Sequence, residues 1–156
     1  MGDSLTAPLE RFIRAQAPVF EQVLEELRAG RKRTHWMWFV FPQIHGLGHS
    51  PTAQHYAIGS LEEAEAYLRH PLLGERLRQC TRLVRDIEGH AIGEIFADPD
   101  QLKFRSCMTL FARAAERGAT VPEDRIFRGA LEKYFGGQED PRTLELLPRE
   151  STPDRP

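Results

Sequence analysis

At 156 residues, 40% hydrophobic and 28% charged, the chain is long enough to remove about two thirds of its unfolded surface from water in one domain. Its net charge of −2 argues against a bulk electrostatic grip on nucleic acid, and its longest apolar run, Trp36 to Pro42, is too short to span a bilayer. Two cysteines, Cys80 and Cys107, supply neither a disulfide framework nor a zinc set.

The amino terminus, MGDSLTAPLERF, lacks the basic and apolar regions of a secretory leader, so a cytoplasmic protein is expected. Met1-Gly2 with Thr6 fits the spacing for myristoylation, although one such anchor holds a membrane only marginally. Leu9, Phe12, Ile13 and Gln16 then recur at helical spacing, and after Pro18 a second stripe runs through Phe20, Val23, Leu24 and Leu27 to a stop at Gly30. The two pieces are one kinked helix or two short ones.

The segment RKRTHWMWFVFPQIHGLGHS, residues 31–50, holds both tryptophans. As a strand it would bury both faces, yet no partner strands are evident. As a helix capped by Thr34 it would be apolar nearly all round. The helical surroundings favour a short buried helix over 35–42, while its aromatic and β-branched content leans towards a strand.

Ser50 is next predicted as an N-cap with Pro51 at the first helical position, and Ser60 with Glu63 as a capping box for a helix ending before Pro71. His70 is expected to meet the free carbonyls at that helix end. Leu72, Leu73, Leu77, Leu83, Val84 and Ile87 form the following stripe, where Gly74 permits a close approach. Asp98 and Pro99 are read as the start of a helix carrying Phe104, Met108, Phe111 and Ala115 and stopping at Gly118. Proline starts and glycine stops recur at Pro122 and Gly136, and Asp140-Pro141 opens a last short helix. Residues 148–156 are polar and proline-rich, and a disordered tail is expected there. The fold class is therefore all-α: a compact single-domain bundle over 5–147, of about six to eight short helices, with a buried aromatic segment at 35–42.

GRKRTHWMWFVFPQIHGLGHS, YAI, EAEAYLRHPLLGERL, DQLKFRSCMTLF and RFIRAQ resemble the uncharacterised family designated domain of unknown function 1810, over roughly residues 9–147. The resemblance implies a mainly α-helical fold, seen in small single-domain bacterial members, and no established activity. Some members carry the label calpastatin, which does not suit this chain: calpain-inhibiting segments are disordered and repetitive, whereas this sequence has no repeat. The sequence departs from the family pattern in Phe96-Ala97, where a Phe-Gly pair is usual. Cys107 stands where serine is frequent, which implies that no cysteine nucleophile is required.

Three constellations bear on chemistry. Arg31, Lys32 and Arg33 ahead of Thr34 would bring cations and free backbone N–H groups to one helix start, an arrangement suited to phosphate or carboxylate. Trp36 or Trp38 would stack on a ring, and Gln43 would add a polar contact. The competing reading makes the basic run a solvated surface and the tryptophans core. His45 and His49 have the separation of helical zinc ligands, but Gly46, Gly48 and Pro51 oppose a helix there and no metal is expected. His35 is the candidate general base, with Ser106 and Thr109 three apart on one helix side as ligand-binding residues or as nucleophile and partner. Without a Gly-x-Ser-x-Gly elbow, hydroxyls tied within a helix interface are the plainer account of that pair. The sequence thus leads to a helical protein binding, or processing, a small anionic or nucleotide-derived ligand, with no cofactor and room for homo-oligomers. The alternative is an interaction or structural module without catalytic activity, its aromatic segment being core.

Overall fold

Proline, glycine and short polar caps divide the chain into segments, and each turns an apolar stripe towards a shared core. The computed structural model describes residues 6–118 and 121–148, so Met1 to Leu5, including the myristoylation spacing, and the tail from Arg149 onwards lie outside the described residues. Among the described residues there are ten α-helices: α1 (Thr6–Gln16), α2 (Phe20–Arg28), α3 (Met37–Val40), α4 (Pro51–His55), α5 (Leu61–Arg69), α6 (Leu73–Asp86), α7 (Ile92–Ile95), α8 (Asp100–Arg117), α9 (Ile126–Phe135) and α10 (Pro141–Leu146). A 3-10 turn, Pro122–Arg125, leads into α9. The count exceeds six to eight because one-turn helices such as α7 are too short to carry a periodic stripe. Pro18 separates α1 from α2 outright.

The caps follow local chemistry. Ser50 Oγ accepts from Ala53 N at 3.1 Å, and Asp140 Oδ2 from Thr143 N at 3.0 Å. Ser60 Oγ accepts from Glu63 N at 3.0 Å, but the Glu63 carboxylate reaches Gly59 N at 2.6 Å, one residue further back than a capping box requires. Two expectations fail. α8 starts at Asp100 with Pro99 before it, after a cis Asp98–Pro99 bond, and the Asp98 side chain accepts from Gln101 Nε2 at 2.8 Å instead of capping. The His70 imidazole does not meet the carbonyls, which its backbone N–H reaches at Ala66 and Tyr67 (3.0 and 3.2 Å); its Nδ1 accepts from Leu72 N and Leu73 N at 3.1 and 3.2 Å, serving the start of α6.

α8 runs through the interior. Its residues Phe104, Ser106 to Ala112 and Ala114 are buried, so of the expected stripe Phe104, Met108 and Phe111 are covered and Ala115 half-covered, and further positions are enclosed beside them. α5, α9 and α10 pack against it, and α6 packs against α5, α9 and α2. The close approach at Gly74 is real: a Cβ there would stand 2.1 Å from the Leu68 carbonyl oxygen. Buried Gln16 ties α1 across the core, donating to Phe39 O at 2.7 Å and to Tyr67 Oη at 3.1 Å.

The aromatic segment is helical only at its centre. Residues 37–40 make one turn, Trp36 and not Thr34 precedes it, and Phe41 leaves the helical conformation at φ −124° and ψ 74°. Beyond it, a single parallel bridge joins Ile44 to Ile58: Ile58 N donates to Gln43 O and His45 N to Ile58 O, both at 2.8 Å. The strand-like propensity of this stretch is thus expressed as one bridge. Ala97 takes no left-handed conformation, since among the described residues only glycines have positive φ.

Candidate functional site

α2 ends in a paired turn. Gly30, at φ +77°, donates to Leu27 O, and Arg31 N donates to Glu26 O, both at 3.0 Å, which closes the helix and sends residues 31–36 away from it. The Glu26 side chain then organises that segment. Its Oε1 accepts from Arg33 N at 2.8 Å, Thr34 N at 3.1 Å and the Trp36 indole Nε1 at 2.9 Å. Its Oε2 accepts from Thr34 Oγ1 at 2.6 Å and Gln22 Nε2 at 2.9 Å. The carboxylate is fully buried. Burial alone would raise its pKa, but the hydrogen bonds from Thr34, Arg33 and Gln22 outweigh it and hold the group at about 2. Glu26 therefore fills the place at which free N–H groups were expected to hold a ligand.

The basic residues separate from one another. Lys32 N donates to Ile95 O at 2.9 Å, while its ammonium turns inward to Asp100 Oδ2 at 2.8 Å and lies 5.3 Å from the Trp36 ring. Lys103 stands 3.9 Å from the other Asp100 oxygen and 4.9 Å above the half-buried Trp38 ring. Arg31 and Arg33 are exposed, and among the described residues neither has an acidic partner. Arg31 and Lys32 line a cleft of about 470 Å³ with Gly30, Ile95, His90 and Glu94. Glu94 Oε1 accepts from Ala91 N at 2.8 Å and lies 3.6 Å from His90 Nδ1.

The remaining sequence-predicted residues divide between core, surface and scaffold. Trp36 is buried in an aromatic cluster with Phe41, Phe96 and Phe104, ring centroids 5.1 to 6.4 Å apart. His35 is exposed and makes no hydrogen bond among the described residues. Gln43 is half-buried and bonds through its backbone. Ser106 Oγ lies 3.0 Å from both Leu102 O and Asp140 Oδ2. Thr109 Oγ1 donates to Arg105 O and accepts from Asp140 N, both at 2.9 Å. These hydroxyls fasten the α10 turn to α8, on partners remote in the sequence from residues 31–43.

Sequence reading missed Glu26, Asp100 and Lys103. Glu26 carried a signal, an acid on the apolar face between Val23 and Leu27; nothing local announces that Asp100 meets Lys32. Among the described residues no three His, Cys, Asp or Glu side chains converge as metal ligands, and no helix is long and apolar enough to cross a membrane. Both cysteines are buried, and burial pushes the Cys80 thiol to about 12 and Cys107 well above its ordinary value, which suits packing and not nucleophilic attack.

No curated protein matches the chain. It is similar to the crystal structure of the conserved hypothetical protein Rv1873 from Mycobacterium tuberculosis, at 59% identity and a TM-score of 0.84 over 89% of this chain and 95% of that one. With a family model matching residues 6–147 as well, the chain belongs to the protein family of unknown function DUF1810.

Proposed function

We propose that residues 5–147 act as one cytoplasmic domain that binds a small anionic, nucleotide-derived ligand at the 31–50 segment, entered from the cleft beside Arg31 and Lys32. One observation carries the reading: Glu26 pins the backbone at Arg33 and Thr34, so Arg31 and Arg33 flank and enter a rigid segment without acidic partners. Elsewhere arginines such as Arg78, Arg113 and Arg128 are held by carboxylates. Unpaired guanidinium groups on a fixed loop beside a concavity suit bidentate capture of phosphate or carboxylate. His35 and the open part of Trp38 extend the same surface towards a ring or a second polar group, with Gln43 further along. Lys32 joins only by leaving Asp100. Ser106 and Thr109 support the fold around α8 and bear no weight in this reading, and Trp36 contributes as floor.

Thermal shift with phosphate, pyrophosphate, nucleotides and NAD derivatives is the test. A ligand at 100 times its Kd should stabilise the native state by about 2.7 kcal/mol. The stabilisation should disappear in an Arg31→Ala, Arg33→Ala double variant whose own melting midpoint is unchanged. No shift from any of these anions at millimolar concentration refutes the reading. The burial of Trp36, Met37, Val40 and Phe41 favours a second one, an interaction or structural module built on an aromatic core. It predicts no ligand response and a change of assembly state on surface substitution.

A further inference from the structure

Lys32 is the most enclosed cation of the proposed site, and it already holds an anion. Its ammonium is 2.8 Å from Asp100 Oδ2, with the two side chains only 10% and 20% exposed. We infer that Asp100 acts as a built-in monocarboxylate competitor at Lys32, so that Lys32 is engaged by polyanionic phosphate groups, pyrophosphate above all, and not by simple carboxylates. The inference rests on the anion-binding reading above and specifies its ligand class.

Exchange chemistry gives the selectivity. A free monocarboxylate arriving at Lys32 offers one charge and one acceptor group, the same as Asp100, but without the advantage of being attached to the chain at a fixed place. It gains nothing by displacement. A pyrophosphate brings more charge and more acceptor oxygens, enough to engage Lys32 and the unpaired Arg31 together across the cleft they both line. Glu94 in the same cleft sharpens the requirement, since its negative charge repels any anion that is not held by several cations. The carboxylate that is set aside does not lose all company: Lys103 stands 3.9 Å from Asp100 Oδ1, ready to keep it paired when Lys32 turns away. That second lysine lowers the cost of opening the Lys32–Asp100 pair, which would otherwise leave a poorly solvated charge alone.

The experiment is isothermal titration of the full chain with sodium pyrophosphate, phosphate and acetate at constant ionic strength, with wild type, Asp100→Asn and Lys32→Gln compared. Wild type should bind pyrophosphate at least about tenfold tighter than acetate, the gap expected from extra charge-assisted contacts. Asp100→Asn frees Lys32 for any anion, so acetate should gain at least about threefold in affinity, and adding Lys32→Gln to that variant should abolish the gain. Lys32→Gln should weaken pyrophosphate and leave acetate where it was. Acetate affinity unchanged in Asp100→Asn, equal binding of both anions by wild type, or undiminished pyrophosphate binding in Lys32→Gln overturns the inference while the anion site stands. Absence of pyrophosphate binding by a wild type that still responds to nucleotides or NAD derivatives removes this inference alone; absence of any response removes the anion-site reading with it. Melting midpoints check the fold of each variant, and should Asp100→Asn fail to fold, Lys32→Gln alone decides.

Discussion

Replacing Glu26 with glutamine tests the organisation of the 31–36 segment most directly. Five groups donate to this carboxylate, and a carboxamide keeps an acceptor oxygen for the three on Oε1 while its NH2 meets the Thr34 hydroxyl and the Gln22 carboxamide, which can turn to accept. Removing the charge weakens all five charge-assisted hydrogen bonds to neutral ones, which together costs about 3 kcal/mol. The depressed pKa of Glu26, which the same hydrogen bonds produce, corresponds to a similar figure. A pKa lowered from 4.5 to about 2 corresponds to about 3 kcal/mol of folding stability. Because the folded value is depressed, that stability is complete above pH 4.5 and is lost as pH falls through the window down to about 2. Urea unfolding followed by tryptophan fluorescence, at steps from pH 7 to pH 2, measures both. Glu26→Gln should be about 3 kcal/mol less stable than wild type at pH 7, and the two should converge as pH approaches 2. A variant within about 0.5 kcal/mol of wild type at pH 7, the range of an ordinary surface substitution, would refute the account. So would a large deficit that does not change with pH.

Gly74→Ala should destabilise by about 2 kcal/mol or more in the same assay, because the overpacking against Leu68 O exceeds the gain in helix propensity. A neutral effect would mean that α5 and α6 separate easily. Thr109→Val removes the acceptor of Asp140 N and should cost about 1.5 kcal/mol, with faster amide exchange over 138–147 and unaltered anion binding. Lost binding with intact stability would instead give Thr109 a direct contact with ligand. Cys80 and Cys107 should react with Ellman's reagent only as fast as the chain unfolds, and rapid labelling of native protein contradicts their burial.

Much of the fold was legible because the information is local. Ser50, Ser60 and Asp140 cap within three residues of themselves, and the stripes of α1, α2 and α6 recur at helical spacing. Glu26 escaped because four of its five donors lie seven to ten residues on, around a turn closed at Gly30. The candidate site was misread for a related reason. The run Arg31 to Arg33 ahead of Thr34 predicts convergence on a helix start, but the chain there is irregular: Lys32 turns inward to Asp100 and Arg33 outward to solvent. Thr34 carried the composition of an N-cap and serves a carboxylate from the preceding helix instead. Ser106 and Thr109 were placed correctly on one side of a helix; which neighbour lay on that side depended on α10, more than thirty residues away.

The enclosure of α8 reaches beyond packing. A helix with solvent along one side can release its amides by fraying or by a small local opening. From Phe104 to Ala114 nearly every position is covered, and the covering layer is made by α5, α9 and α10. To expose those amides, the surrounding helices must come away as well. Deuterium uptake in the middle of α8 therefore reads the free energy of opening the whole molecule, and its response to a ligand measures how strongly the ligand holds the native state together.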